Sequence, residues 1–224
     1  MLAVPYRLVR ALMIAAGAVY CSLILEAIAG FPLNVHSSFL SELSARDQAT
    51  SPYARAMDLI SSLLMLAAVV LSRRARAVRW EIAGVLISTA LFAIGTMFDS
   101  FMPMDCAPSV GTACRESEAG GQAGFALMLH EATSTIAGAG TIALGVFAVL
   151  AIRRYGWGGW FAKAVALLAA GVVVTQVWLG SVVAYETLSG AEVIAPGILQ
   201  RVTTVLTCLL LGTLLPALRQ ACTR

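Results

Sequence analysis

A chain of 224 residues in which 59% are hydrophobic and 12% charged, with a mean hydropathy of +0.86, lacks the charge that covers a soluble surface. Soluble domains run at about 45–50% apolar and roughly 25% charged, so a soluble domain, a disordered chain, a collagen-like repeat and a disulfide-rich miniprotein are excluded. A net charge of +3 from 15 basic and 12 acidic residues, segregated along the chain, also excludes tight nucleic-acid binding. What remains is an all-α polytopic membrane protein, because backbone polar groups in lipid must be satisfied within their own segment. The alternating segments of about ten residues that build a transmembrane barrel are not present.

Crossing the hydrocarbon takes about 20 mostly apolar residues. Six stretches qualify, at about 8–30, 56–72, 80–98, 124–152, 161–185 and 196–218, and nothing marks a second domain, so one six-helix transmembrane domain over 1–224 is expected. Arg7 and Arg10, an apolar run and Ala27-Ile28-Ala29 before Gly30 have the order of a secretory leader. The apolar run is long for one and carries Glu26, so an uncleaved first span is expected. The second span is the shortest: its apolar core runs from Leu59 to Leu71 and needs Tyr53 to Asp58 as an interfacial first turn.

Orientation follows from the basic residues. Arg7 and Arg10 precede the first span, and Arg73, Arg74, Arg76 and Arg79 join the second to the third. Arg153, Arg154 and Lys163 join the fourth to the fifth, and Arg219 and Arg224 follow the sixth. Arg46, Arg55, Arg115 and Arg201 fall on the other side, with every acidic residue except Glu81. The positive-inside rule then predicts a cell-membrane protein with both termini cytoplasmic. The two longer links, 31–55 and 99–123, lie outside, and loops on a rigid scaffold are where binding and catalysis concentrate.

Cys21 and Cys208 lie in spans, where a thiol behaves as a small hydrophobe, and Cys222 is in the tail. Cys106 and Cys114 share one outer loop, with Pro108 and Gly111 between them to bend the chain; a disulfide is expected there. Metal binding is the alternative, but the spacing matches no common zinc pattern and the loop has no histidine. No metal site or cofactor is expected. The chain has no G-x-S-x-G, H-E-x-x-H, phosphate-loop, dinucleotide or C-x-x-C motif, and its histidines are His36 and His130.

An ionisable side chain in a membrane is costly unless it meets a partner or a cavity. Glu26, Asp58, Asp99, His130, Glu131, Gln200 and Arg201 all fall in the outer third of their spans. Ser134 stands four residues beyond His130, on the same helical face. A structural network satisfies the same residues if Arg201 pairs with Glu26, Glu131 or Asp99. The fourth span carries Ser134, Ala137, Gly138, Thr141 and Gly145 at the small-residue spacing that lets helices approach, which places it centrally. Gln176 in the fifth span reads as an interhelical hydrogen-bond donor.

The segment Ser37-Ser38-Phe39-Leu40-Ser41-Glu42-Leu43-Ser44-Ala45 follows the first span, and Phe98-Asp99 leads to Met102-Pro103-Met104-Asp105-Cys106 after the third. With His130 early in the fourth span and Gln200-Arg201 in the sixth, the chain resembles, over nearly its whole length, the bacterial membrane family known as domain of unknown function 998. That resemblance implies six helices and no assigned activity. A looser likeness is to ceramidase-type membrane hydrolases, which use a serine, an aspartate and three histidines around zinc; two histidines at unrelated spacing depart from that pattern.

The leading expectation is an outward-facing polar cavity lined by Glu42, Asp99, Asp105, His130, Glu131, Gln200 and Arg201, binding or moving a lipid or small amphiphile. Arg201 would engage an anionic group, and His130 with the carboxylates would set protonation. One alternative is an intramembrane hydrolase or transferase with His130 as general base and Asp99 or Asp105 orienting it or binding a metal. Another is a non-catalytic assembly or sensor subunit in which these charges only pack. Membrane lipids are the expected partners, and the oligomeric state is left open.

Overall fold

The computed structural model describes residues 5–73, 79–119, 125–155, 159–189 and 196–223. Arg74, Arg76, Glu192 and Arg224 lie outside them, as do the side chains of Arg115, Glu118 and Cys222. The regular elements are helical: α1 (Tyr6–Tyr20), α2 (Ser22–Ile28), a 3-10 turn (Leu40–Ser44), α3 (Ser51–Ser72), α4 (Trp80–Phe101), α5 (Thr112–Ala119), α6 (Phe125–Tyr155), α7 (Trp160–Ser189) and α8 (Pro196–Thr223). Five of them, α3, α4, α6, α7 and α8, are long and apolar enough to cross a membrane, and α1 with α2 pass the same test together across a 42° bend. The protein is therefore an all-α polytopic membrane protein with five to six membrane-length helices.

The first span departs from the unbroken 8–30 helix read in the sequence. The backbone leaves helical geometry at Cys21, where ψ is 74°, although neither proline nor glycine stands there. The break gives the two turns of α2 an angle of their own, and within them Glu26 is fully buried. Gly30 and Phe31 then take positive φ values of 75° and 57°, ending the helix with Gly30 N donating to the Ala27 carbonyl and Phe31 N to that of Glu26. The second span gains the interfacial turn it needed: α3 starts at Ser51 with Pro52 in its first turn, where a missing N–H costs nothing. The third runs on to Phe101, which carries Asp99 inside the last turn of α4.

Packing follows a closed path in which α1 touches α3, α3 touches α4, α4 touches α6, α6 touches α8 and α8 returns to α1, with α7 laid against α6 and α8. In lipid no hydrophobic force draws helices together, so small residues and close fit hold the bundle. A methyl group at Gly140 of α6 would stand 2.4 Å from the Phe92 amide nitrogen of α4, and one at Gly95 of α4 would stand 2.5 Å from that of Ala137. These helices meet backbone to backbone. On its other side, α6 presents Gly145 to the Ala169 carbonyl of α7 and Gly138 to the Gln176 side chain.

Because the obstruction at Gly140 is main chain, it cannot swing aside. Gly140→Ala should lower stability by roughly 1–3 kcal/mol, the usual cost of overpacking. Gly212→Ala, which meets nothing within 4 Å, should be neutral or gain about 0.5–1 kcal/mol from the lost backbone freedom. Thermal unfolding of the two variants in one detergent checks the contrast.

Candidate functional site

Polar side chains at the end of the bundle remote from both termini fall into three groups. The first centres on Arg201, one turn into α8 and only 5% exposed, facing the completely buried Glu26 of α2. Arg201 Nε donates to Glu26 Oε2 at 2.9 Å and its Nη2 to Oε1, the bidentate geometry a planar guanidinium makes with a carboxylate. Its Nη1 donates to the carbonyls of Val35 at 3.1 Å, Ser38 at 2.8 Å and Gly197 at 3.0 Å. The loop is thereby drawn over the start of α8, where Gly197 N donates to the His36 carbonyl at 3.1 Å. Only glycine fits at 197, since a methyl there would stand 2.3 Å from the Ser38 carbonyl oxygen.

An outer cap grows from this anchor. Gln200 accepts hydrogen bonds from the amides of Leu40 and Ser41, holding the 3-10 turn to α8. Buried Glu42 accepts from the Phe39 amide at 2.8 Å, from the Ser109 amide at 3.0 Å and from the Ser109 hydroxyl. The Ser109 and Ser38 hydroxyls lie 2.7 Å apart, so both outer loops are joined to the residues that Arg201 holds. Asp47 accepts from Ala107 N at 3.1 and 3.2 Å, and Arg46 N donates to the Met104 carbonyl at 2.9 Å. A Cys106–Cys114 disulfide closes the second loop around Ser109. Asp105 pairs with Arg46 at 2.8 Å, with both side chains more than half exposed, and such pairs contribute about 0–1 kcal/mol.

The second group lies between α4 and α6. His130 Nδ1 stands 2.9 Å from Asp99 Oδ1. Thr133 donates to the same oxygen at 2.6 Å and Ser134 at 3.1 Å. Asp58 of α3 lies within electrostatic reach of Asp99 and His130, and Tyr20 of α1 within reach of Asp58 and Asp99. His130 is only 6% exposed, and Nδ1 lies at ion-pair distance from Asp99 without an in-line hydrogen bond. Thr96, one turn before Asp99 on α4, is also buried, and its hydroxyl has no partner among the described residues. The third group is the surface: Glu131 is exposed beside His130, about 100° further round the helix, and joins neither centre.

The seven residues expected around one cavity are thus divided. Arg201, Gln200 and Glu42 belong to the cap, Asp99 and His130 to the intramembrane centre, and Asp105 and Glu131 to the surface. None of them lines either of two cavities in the bundle. One, of about 280 Å³, is bounded by Val69, Arg73, Leu86, Ile87, Ala90, Leu91 and Ile94; the other, of about 50 Å³, lies between α1, α3, α4 and α8. Among the described residues, no group of three or more His, Cys, Asp or Glu side chains is placed to hold a metal ion. The buried Thr96 hydroxyl is the group there that can hydrogen-bond a further polar group. Asp58 carried a visible signal as an acid beginning a span, whereas Thr96 and Tyr20 carried none.

Removing one partner from a buried ion pair leaves the other charge uncompensated, which typically costs about 3–5 kcal/mol. Arg201→Ala should lose that much stability in denaturant unfolding in detergent. Arg201→Lys should recover only part, because an ammonium cannot serve both carboxylate oxygens and three carbonyls in this geometry. Asp105→Ala should change stability by less than about 1 kcal/mol.

Among known families, the one described as Protein of unknown function (DUF998) matches residues 13–216. No curated protein and no solved structure matches the sequence. The matched stretch runs from the middle of α1 to the last turns of α8 and takes in the Glu26–Arg201 pair, the outer cap and the His130 centre. The chain belongs to the DUF998 family and is a multi-pass membrane protein of that family.

Proposed function

We propose that this protein binds, and moves, a lipid or small amphiphile of the outer leaflet, holding its polar part at the intramembrane centre of His130, Asp99 and Thr96. The observation that carries this reading is the buried Thr96 hydroxyl, one turn from Asp99 on α4, which lacks a hydrogen-bond partner among the described residues. An unsatisfied buried polar atom costs about 1–3 kcal/mol. That cost favours a site that is completed by something polar from outside. The surrounding helices are apolar and lipid-facing, with Phe98, Phe101 and Met128 exposed, which suits the tail of an amphiphile.

On this reading Arg201 does not take the ligand's anionic group, since its donors are committed to Glu26 and three carbonyls. Arg201, Gln200 and Glu42 instead hold the cap above the centre, and Asp105 and Glu131 lie where a ligand first meets the protein. The reading takes α1 and α2 together as the first of six spans, with both termini cytoplasmic in the cell membrane. The concentration of basic residues in the α3–α4 and α6–α7 connections supports that orientation. A second reading, an intramembrane hydrolase or transferase, is favoured by one observation. His130 Nδ1 stands 2.9 Å from the Asp99 carboxylate, the placement of an orienting acid beside a general base.

Lipid mass spectrometry of gently purified wild type, His130→Ala and Thr96→Val tests the proposal. Wild type should carry an amphiphile that both variants lack, while Thr96→Val, which removes an unpartnered hydroxyl, should be at least as stable as wild type. Identical lipids in all three would contradict it. The hydrolase reading adds fatty-acid release from phospholipid vesicles by wild type and none by His130→Ala.

A further inference from the structure

A different feature lies at the opposite end of the bundle. There α3 ends at Ser72 and Arg73 caps it, the Arg73 amide donating to the Val70 carbonyl at 3.3 Å. Beside this cap, between α3 and α4, runs the cavity of about 280 Å³ whose walls are Val69, Leu86, Ile87, Ala90, Leu91 and Ile94. Its α4 wall repeats at helical spacing, so it forms one face of the helix, and from Leu86 to Ile94 it extends about 12 Å along the axis. The groove opens on the side of the bundle: Ile87 is 56% exposed, and Leu91 and Ile94 are each 38% exposed. The smaller cavity shares the walls Val69 and Leu86 and leads inward towards α1 and α8.

Among the described residues, Arg73 is the one charged residue lining this groove. It is exposed, and among the described residues its guanidinium has neither a hydrogen-bond nor an ion-pair partner. The nearby arginines differ. Arg79 and Arg154 lie over the Tyr155 ring, and the buried acid at this end, Glu81, accepts the Tyr155 hydroxyl at 2.8 Å. A groove with apolar walls along the axis of α4, closed beside the end of α3 by a cation without a partner among the described residues, is complementary to an acyl chain below an anionic headgroup. We propose that the α3–α4 groove holds one acyl chain of an anionic glycerophospholipid whose phosphate sits on Arg73. A zwitterionic lipid fits the same walls but offers Arg73 no net charge. The site shares no residue with the His130 centre, so the two proposals stand or fall separately.

Titrating phosphatidylglycerol and phosphatidylcholine of identical chains into the purified protein in a neutral detergent, with native mass spectrometry as the readout, tests this. Wild type should retain phosphatidylglycerol about fivefold more strongly, the size of one arginine's pull on an anionic headgroup. Arg73→Gln should equalise the two lipids. Ala90→Phe, which fills the groove, should lower retention of both. Arg10→Gln, a loss of charge at the exposed face of α1, should leave the preference unchanged. Equal retention by wild type, a preference that survives Arg73→Gln, full retention by Ala90→Phe, or an equal loss in Arg10→Gln would each overturn the proposal.

Discussion

The half of this bundle remote from both termini depends on the pairing of Glu26 with Arg201. Each charge alone is expensive in a membrane. Together they are tolerated because the guanidinium fork covers both carboxylate oxygens and turns its remaining nitrogen to backbone carbonyls. The partners are 175 residues apart, so the pair fastens the first membrane segment to the last. A buried ion pair of this kind contributes more to uniqueness than to stability over an apolar substitute. Here it selects one angle for α2 and one path for the loop at 35–38, and from Ser38 the hydrogen bonds run through Ser109 to Glu42 and the disulfide-closed loop.

The His130 centre contrasts with that network. Arg201 gives its fork to Glu26 and its third nitrogen to carbonyls, whereas the buried Thr96 Oγ1 has no partner among the described residues. Polar groups that serve only packing are normally satisfied, and the cap a few turns away shows that this chain satisfies them where the fold requires it. On the proposed reading, the contrast separates a fastening role from a binding one. It also explains why α4 and α6 are pressed together through Gly95 and Gly140: the backbone contact brings Asp99 within reach of His130, Thr133 and Ser134.

Much of the fold was legible because lipid allows few solutions. Apolar length located the membrane helices, and the small residues of α6 marked the helix that packs on two sides. The break at Cys21 was not legible, because the apolar run is continuous and no proline or glycine stands at that residue; the angle serves a contact 175 residues away. The candidate site was half legible for a related reason. Hydropathy reports depth, so it ranked Glu26, Asp58, Asp99, His130 and Arg201 together, but it does not report which way each side chain points. Glu26, Glu131 and Asp99 were equivalent partners for Arg201 by depth, and only tertiary packing distinguishes them. Thr96 carries no charge and disappears in an apolar helix; what singles it out is the missing partner.

The central claim is that Glu26 and Arg201 act as one unit on which the cap depends. A double-mutant cycle of Glu26→Ala, Arg201→Ala and the double variant, read by denaturant unfolding in detergent, measures it directly. If the claim holds, the double variant is no less stable than the weaker single variant, giving a coupling of about 2–3 kcal/mol or more. Losses that simply add would contradict it, because each residue would then be held by something other than its partner.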